Sequence, residues 1–564
     1  MRKRILAFVL AGAMALSMTG CGGGSSEDSS AAASGDQKTI DGNVLDADQS
    51  YTTYLMSDPT TLDAVKGNDT YSNSILLNIM EPLTRMDEDA DGKNTRIGAG
   101  AESWESNEDG TVWTFHLRDM KWSDGEPVTA ADYAYSLTMA LDPEAGSPNS
   151  YLVTCIKNGE AVNSGEKDVS ELGVKAVDDK TLEITLEEPT PYFLAMTDTR
   201  IMMPTRQDVF EKYGESYGAD ADKIIGNGPF KLESWTHNSE IKLVKNEEYW
   251  DAENVNLQSV TYQIQSEETT NYNSFDNGTL DACTCGTQEW MERFEAKDNV
   301  ERYDYVSAAV RFHFFNTKDE LFKNENIRKA FSLAIDREDV VDTIYLGAMY
   351  ATYGWVPEGV TMQDGTDYRE KVEAPLKAMY ESEDPKELLL KGMEELGLGD
   401  DPSTLTVKFT LGGTTEWLKK YGEYFQQKYK EVLGVNIELD SNEWGTFQSK
   451  TNSGDYQMAY MSWTIDYNDP DGMLSLMTSD SNAIPTFWSN EEYDEIMAQA
   501  SVEMDDAKRL ELFQQAEKIL FESGGPLAPV VNEGVHGFYY NYVHNLGKTP
   551  FNTMGLKKIY ISGR

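Results

Sequence analysis

The chain has 564 residues, more than one hydrophobic core usually serves, so two or more domains are expected. Forty per cent hydrophobic and 11% aromatic residues supply real cores and exclude general disorder. The formal charge of −49, from 48 basic and 97 acidic side chains, repels phosphate backbones and excludes nucleic acid as a partner.

Arg2, Lys3 and Arg4 precede an apolar run, Ile5 to Leu16, that is too short to cross a bilayer and reads as a secretory signal. Leu16-Ser-Met-Thr-Gly-Cys21 resembles a bacterial lipobox, with Met18 where leucine is usual. The resemblance implies removal of residues 1–20 and a diacylglyceryl group on Cys21; an ordinary cleaved signal is the alternative. Residues 21–48 read as a flexible tether, polar and small from Gly22 to Asp36. Two acyl chains give stable anchoring. The expected location is the outer face of the cytoplasmic membrane.

Downstream, Tyr51 to Leu55 alternates like a strand, Pro59 breaks it, and Tyr71 to Met80 reads as a short helix ending before Pro82. Val112 to Leu117 forms a strand after a turn at Asn107 to Gly110, and Thr129 caps a helix through Tyr133 to Ala140. Residues 174–186 predict a hairpin turning at Asp178-Asp179-Lys180. Later segments alternate: a helix at Asn326 to Ile335, a strand at Leu405 to Leu411, a helix at Glu416 to Leu433, a strand at Val435 to Leu439 and a largely helical stretch from Glu491 to Ser523. Helices between strands favour an α/β architecture with mixed sheets. No internal repeat and no second linker is visible, so the domains are expected to interleave along the chain.

Catalytic signals are sparse. Besides Cys21, the cysteines are Cys155, Cys283 and Cys285, an odd set with no scaffold spacing. None of the five histidines stands in a zinc-binding spacing, and there is no P-loop, nucleophile elbow or dinucleotide fingerprint. No enzyme activity, cofactor or metal is expected.

Ala101-Glu-Ser-Trp104, Asp109-Gly-Thr-Val-Trp-Thr-Phe-His-Leu-Arg118 and Lys121-Trp-Ser-Asp-Gly-Glu-Pro-Val-Thr-Ala-Ala-Asp132 resemble the signature block of the bacterial extracellular solute-binding proteins, family 5. Further matches follow in family order: residues 172–189, Gly226 to Leu232, Asn246 to Trp250, Ile327 to Arg337, Trp463 to Pro470, and the tail from Asn545 to Phe551 and Ile559 to Ile561. The resemblance covers nearly the whole chain after the signal. It implies a two-lobed α/β fold of the periplasmic-binding-protein type (type II, large peptide-binding class) with a small inserted domain. Lobe I would comprise 49–82, 204–311 and 532–564, the insert 83–203 and lobe II 312–531, with crossings near Phe312 and Asn532. The implied function is that of a monomeric, lipid-anchored receptor of an ABC importer, working with permease and ATPase subunits. Its ligand would be an oligopeptide; a non-peptide solute, a signalling peptide sensed by the same fold, and a surface peptidase are the alternatives.

The resemblance also implies a site. Asp466 would take the peptide's α-ammonium, since a charge-assisted hydrogen bond offsets desolvation of the carboxylate. Trp463 and Thr464 would flank it. Asn68, Asp69, Thr70 and Tyr71 would offer main-chain contacts to an extended peptide. Asn149 and Thr284 stand where peptide-binding members have pocket tyrosines, and Cys285 stands beside Thr284. Tyr460 and Trp417 stand where those members have a basic residue and a histidine that meet the peptide carboxylate. That end is therefore expected to lack a clamp made by the same cations.

Overall fold

The computed structural model describes residues 38–88, 94–547 and 555–564. The expected signal peptide, Cys21 and the Gly22–Asp36 stretch lie outside these residues. Residues 38–45 form a small unit of their own. There Thr39–Ile40 pairs antiparallel with Asn43–Val44. The turn between them is Asp41-Gly42, both at positive φ as a tight two-residue turn requires. The stretch read as tether thus ends in a hairpin.

From Asp46 onward the alternating run at Tyr51 becomes the strand Ser50–Leu55, which pairs parallel with Ser259–Ile264. Phe230–Thr236 and Glu240–Lys245 complete a four-stranded sheet. The expected helix runs Thr70–Ile79, started by Asp69, whose carboxylate accepts from Ser72 N, and stopped before Pro82. A second four-stranded sheet, all antiparallel, joins Ala101–Ser106, Val112–Leu117, Thr181–Thr185 and Val174–Asp178. The helix Ala130–Leu141 lies against it and opens with a capping box between Thr129 and Asp132. Leu76, Trp113, Phe115, Trp122, Phe193 and Ile241 share one buried core that runs under both sheets.

Two short antiparallel pairs follow, Thr84–Glu88 with Asn94–Gly98 and Val543–His544 with Tyr560–Ile561, and seven further strands form a mixed sheet. Its order is Ala282–Thr284, Leu527–Tyr540, Val300–Phe315, Met458–Thr464, Thr406–Gly412 and Asn436–Asn442, with Met349–Ala351 on the Leu527–Tyr540 strand. Two of these strands are long, 16 residues in Val300–Phe315 and 14 in Leu527–Tyr540. Their pairing slips between Val306↔Gly534 and Val310↔Asn532 and again at Phe312↔Pro529. Bulges of this kind bend and twist a ladder. Gly534 sits at the first slip because a Cβ there would lie 2.5 Å from the Ala348 carbonyl.

Alternation along these strands loads both sheet faces. Phe312 and Phe314 point into a core with Trp355 and Met473. His313 points the other way, toward Phe409, Tyr421 and Phe425. Burial pushes its imidazole down to about 3, so it is neutral, bridging the Tyr421 and Tyr429 hydroxyls at 2.9 and 3.0 Å. The helices Glu325–Leu333, Glu416–Val432 and Asp506–Glu522 lie close to the expected positions. The stretch expected to be helical from Glu491 is split: Glu491–Ala500 stops, and Asp505 caps a new start.

Candidate functional site

The strand Met458–Thr464 delivers the expected ligand loop. Past its end, the loop from Ile465 to Asp471 is pinned at almost every residue. Ile465 N donates to Ala308 O at 3.0 Å. Asn468 accepts from Thr361 N at 2.8 Å and donates to its hydroxyl at 3.0 Å. Asp469, fully buried, receives both terminal nitrogens of Arg509 at 2.6 and 2.8 Å. Tyr467 donates to Asp471 at 2.7 Å and stacks on Tyr192, with ring centroids 5.2 Å apart. Asp466 alone on this loop turns its carboxylate outward and remains solvent-exposed.

Its surroundings come from a distant stretch of chain. Tyr151, 56% exposed on the short turn Ser150–Val153, hydrogen-bonds the Asp466 carboxylate. Desolvation by the surrounding protein pushes that carboxyl above the ordinary aspartate range, opposed by the Tyr151 hydrogen bond and the charge of Arg200. Arg200 reaches the Asn149 side-chain oxygen at 3.3 Å and the Asp69 carbonyl at 3.4 Å. Asn149, buried, donates to Gly67 O at 2.9 Å and Val65 O at 3.3 Å. It thereby fixes the backbone of the loop that carries Asn68 and Asp69. Asp69 spends its own carboxylate on Ser72 and Thr60; burial pushes that group up, but these hydrogen bonds hold it below its usual range. Asn68 and Thr70 are exposed, whereas Tyr71 packs half-buried on the core.

The other expected residues fall into separate groups. Tyr460 and Trp417 line one groove of about 310 Å³ together with Arg311, Trp444 and Ser462. Tyr460 is buried there, its hydroxyl 3.4 Å from that of Tyr345 and 3.5 Å from Arg311 Nη1. Arg311 pairs with Glu533 at 2.8 Å, which also accepts from Ser462 at 3.0 Å. Burial pulls the guanidinium down, but Tyr460, Glu533 and Tyr345 around it carry it above the ordinary arginine value. A cation therefore does stand in this groove, supplied by a neighbouring strand rather than by positions 460 or 417. Thr284 meets Tyr54, hydroxyl to hydroxyl, at 2.7 Å. Beside it Cys285 is buried and its thiol raised by desolvation.

Trp463 packs from the opposite sheet face to Tyr460 and Thr464, and its indole N–H is buried without a partner. Thr464 is exposed. No hydrogen bond or ring contact joins the Asp466, Tyr460 and Thr284 groups among the described residues. Cys155, Cys283 and Cys285 are free thiols. The described residues hold no cluster of three His, Cys, Asp or Glu side chains able to bind a metal, and no helix among them is long and apolar enough to cross a membrane.

Residues 97–484 match the family model of the bacterial extracellular solute-binding proteins, family 5. The chain belongs to this family. It is 36% identical to the dipeptide-binding protein DppE of Bacillus subtilis over 86% of each chain. Among solved structures, the substrate-binding domain of an oligopeptide ABC transporter of Bacillus anthracis matches with a TM-score of 0.74 and 31% identity, covering 92% of this chain and all of that one. Haemophilus influenzae OppA, solved in complex with RPPGFSPFR, matches with a TM-score of 0.75 and 26% identity over 92% of this chain and all of its own. The fold is accordingly the two-lobed α/β fold of the periplasmic binding proteins. Tyr151, Arg200, Arg311 and Glu533 were not among the residues expected from the sequence. Each reaches its group through contacts between distant segments, and no local pattern marks them.

Proposed function

We propose that this family 5 protein is the peptide receptor of an ABC importer, holding its ligand by the α-ammonium and main chain. The observation that carries this reading is Asp466: an outward carboxylate on a loop whose other polar groups are committed to the protein. Such a group suits a cation that arrives with its own hydrogen-bond donors. Asn68, exposed just before the helix Thr70–Ile79, stands where main-chain contacts to an extended peptide of any sequence are expected. Relatives named for dipeptide and oligopeptide binding support the same ligand class.

In this reading residues 49–82, 204–311 and 532–564 form one lobe, 312–531 the other and 83–203 the insert. The paired strands Val300–Phe315 and Leu527–Tyr540, bulged near Val306 and Asn532, carry the hinge. The receptor is a monomer without enzymatic activity, tethered through lipid on Cys21, and hands its ligand to permease and ATPase subunits. Protein purified from its host and then denatured should release intact peptides, identified by mass spectrometry. Recovery of a sugar or a sterol instead would overturn the peptide reading, and cleaved added peptides would point to a peptidase.

A further inference from the structure

With 97 acidic and 48 basic side chains, a guanidinium in this protein ordinarily finds a carboxylate. Arg200 has none within ion-pair distance among the described residues. Arg118, Arg328 and Arg337 also lack one, yet they are served by main-chain carbonyls, as at 3.3 Å to Gly98 O, 2.6 Å to Phe322 O and 2.8 Å to Pro529 O. Among the described residues Arg200 makes two long hydrogen bonds, 3.3 and 3.4 Å, both to neutral oxygens. Its Nε is buried and has no partner among them. A buried donor left unpaired is destabilising, which sets Arg200 apart from those three arginines.

The place of the deficit is informative. Arg200 starts the short turn Arg200–Met202 and touches Asn149, two residues before Tyr151, whose hydroxyl bonds Asp466. The Arg200 charge is felt at the Asp466 carboxylate, so an acceptor for a cation and a donor for an anion belong to one group of residues. We propose that Arg200 binds a carboxylate of the ligand lying next to the ammonium held by Asp466, so that the site selects a zwitterionic head. The planar fork of donors on arginine fits a carboxylate as no single lysine nitrogen does. That carboxylate has two sources, the side chain of an acidic first residue or the C-terminus of a dipeptide. This inference rests on the receptor reading above.

Calorimetric titration with defined ligands tests it. Wild-type protein is titrated with Glu-Ala-Ala-Ala against Gln-Ala-Ala-Ala, with Ala-Ala against its C-terminal amide, and with Ala-Ala-Ala-Ala as reference. The carboxylate member of at least one pair should bind about tenfold tighter or more, and the pair identifies the source. Arg200→Gln should erase that preference, read as the affinity ratio within each pair. Arg200→Lys should restore only part of it. The wild-type comparison stands even if a variant fails to fold. Wild-type indifference to both pairs overturns the proposal, as does an equal loss for every ligand in Arg200→Gln, which would make Arg200 a counter-ion of Asp466 alone. If none of these peptides binds wild-type protein, the receptor reading fails and takes this inference with it.

Discussion

Arg509 grips Asp469 through both terminal nitrogens, at 2.6 and 2.8 Å, with neither side chain reaching solvent. The pair lies three residues beyond Asp466 and holds the loop that presents it. Removing one partner of a buried pair strands the other charge, at a cost of about 3–5 kcal/mol. Arg509→Met should lower the urea midpoint accordingly and weaken peptide binding through the loosened loop. Wild-type stability in this variant would show that the loop is held otherwise.

Asp471 sits beside this pair, and burial pushes its carboxyl up to about 6, opposed by Arg509 and reinforced by Asp469. The unfolded value is about 3.9, so between these pH values the folded chain holds the proton more tightly. Its contribution to stability is complete below about pH 4 and is lost as pH rises through 6. Asp471→Asn is neutral throughout and escapes that loss. Relative to wild type, the variant should gain roughly 2–3 kcal/mol between pH 4 and pH 7 in parallel denaturant titrations. A difference that does not change with pH would contradict the assignment.

Tyr192 stacks on Tyr467 at 5.2 Å and 16°, tying a distant segment of the chain to the loop that carries Asp466. Such pairs contribute about 0.5–1.5 kcal/mol. If the contact steadies the ligand-bound arrangement, Tyr192→Ala should raise the peptide Kd by up to about tenfold. Tyr192→Phe keeps the ring and should bind as wild type does. Equal affinities in all three proteins would remove the stack from the binding account.

Much of this fold was legible in the sequence where an element's signal is local. Asp69 and Pro82 bracket the helix Thr70–Ile79 with a cap and a stop, and the Thr129–Asp132 box announces the next one. The strands Val300–Phe315 and Leu527–Tyr540 were not read from the sequence. Their bulges shift the alternation partway along, so no single period of two runs through either strand. At the candidate site, Asp466 was singled out by the motif around it, and the structure leaves it exposed. Arg200 and Tyr151 approach from 266 and 315 residues away in sequence, and nothing distinguishes them there from other arginines and tyrosines. Positions 460 and 417 did carry no cation, as read. The guanidinium that does stand in the groove, Arg311, comes from the adjacent strand, where no local signal marks it.

The account turns on an ammonium meeting Asp466. Calorimetry of tetra-alanine and N-acetyl-tetra-alanine against wild type and Asp466→Asn measures that contact as a cycle. Acetylation should weaken binding to wild type by about tenfold or more, as expected for a hydrogen-bonded charge pair, and should matter little to the variant. Equal binding of the two peptides by wild-type protein would contradict the account.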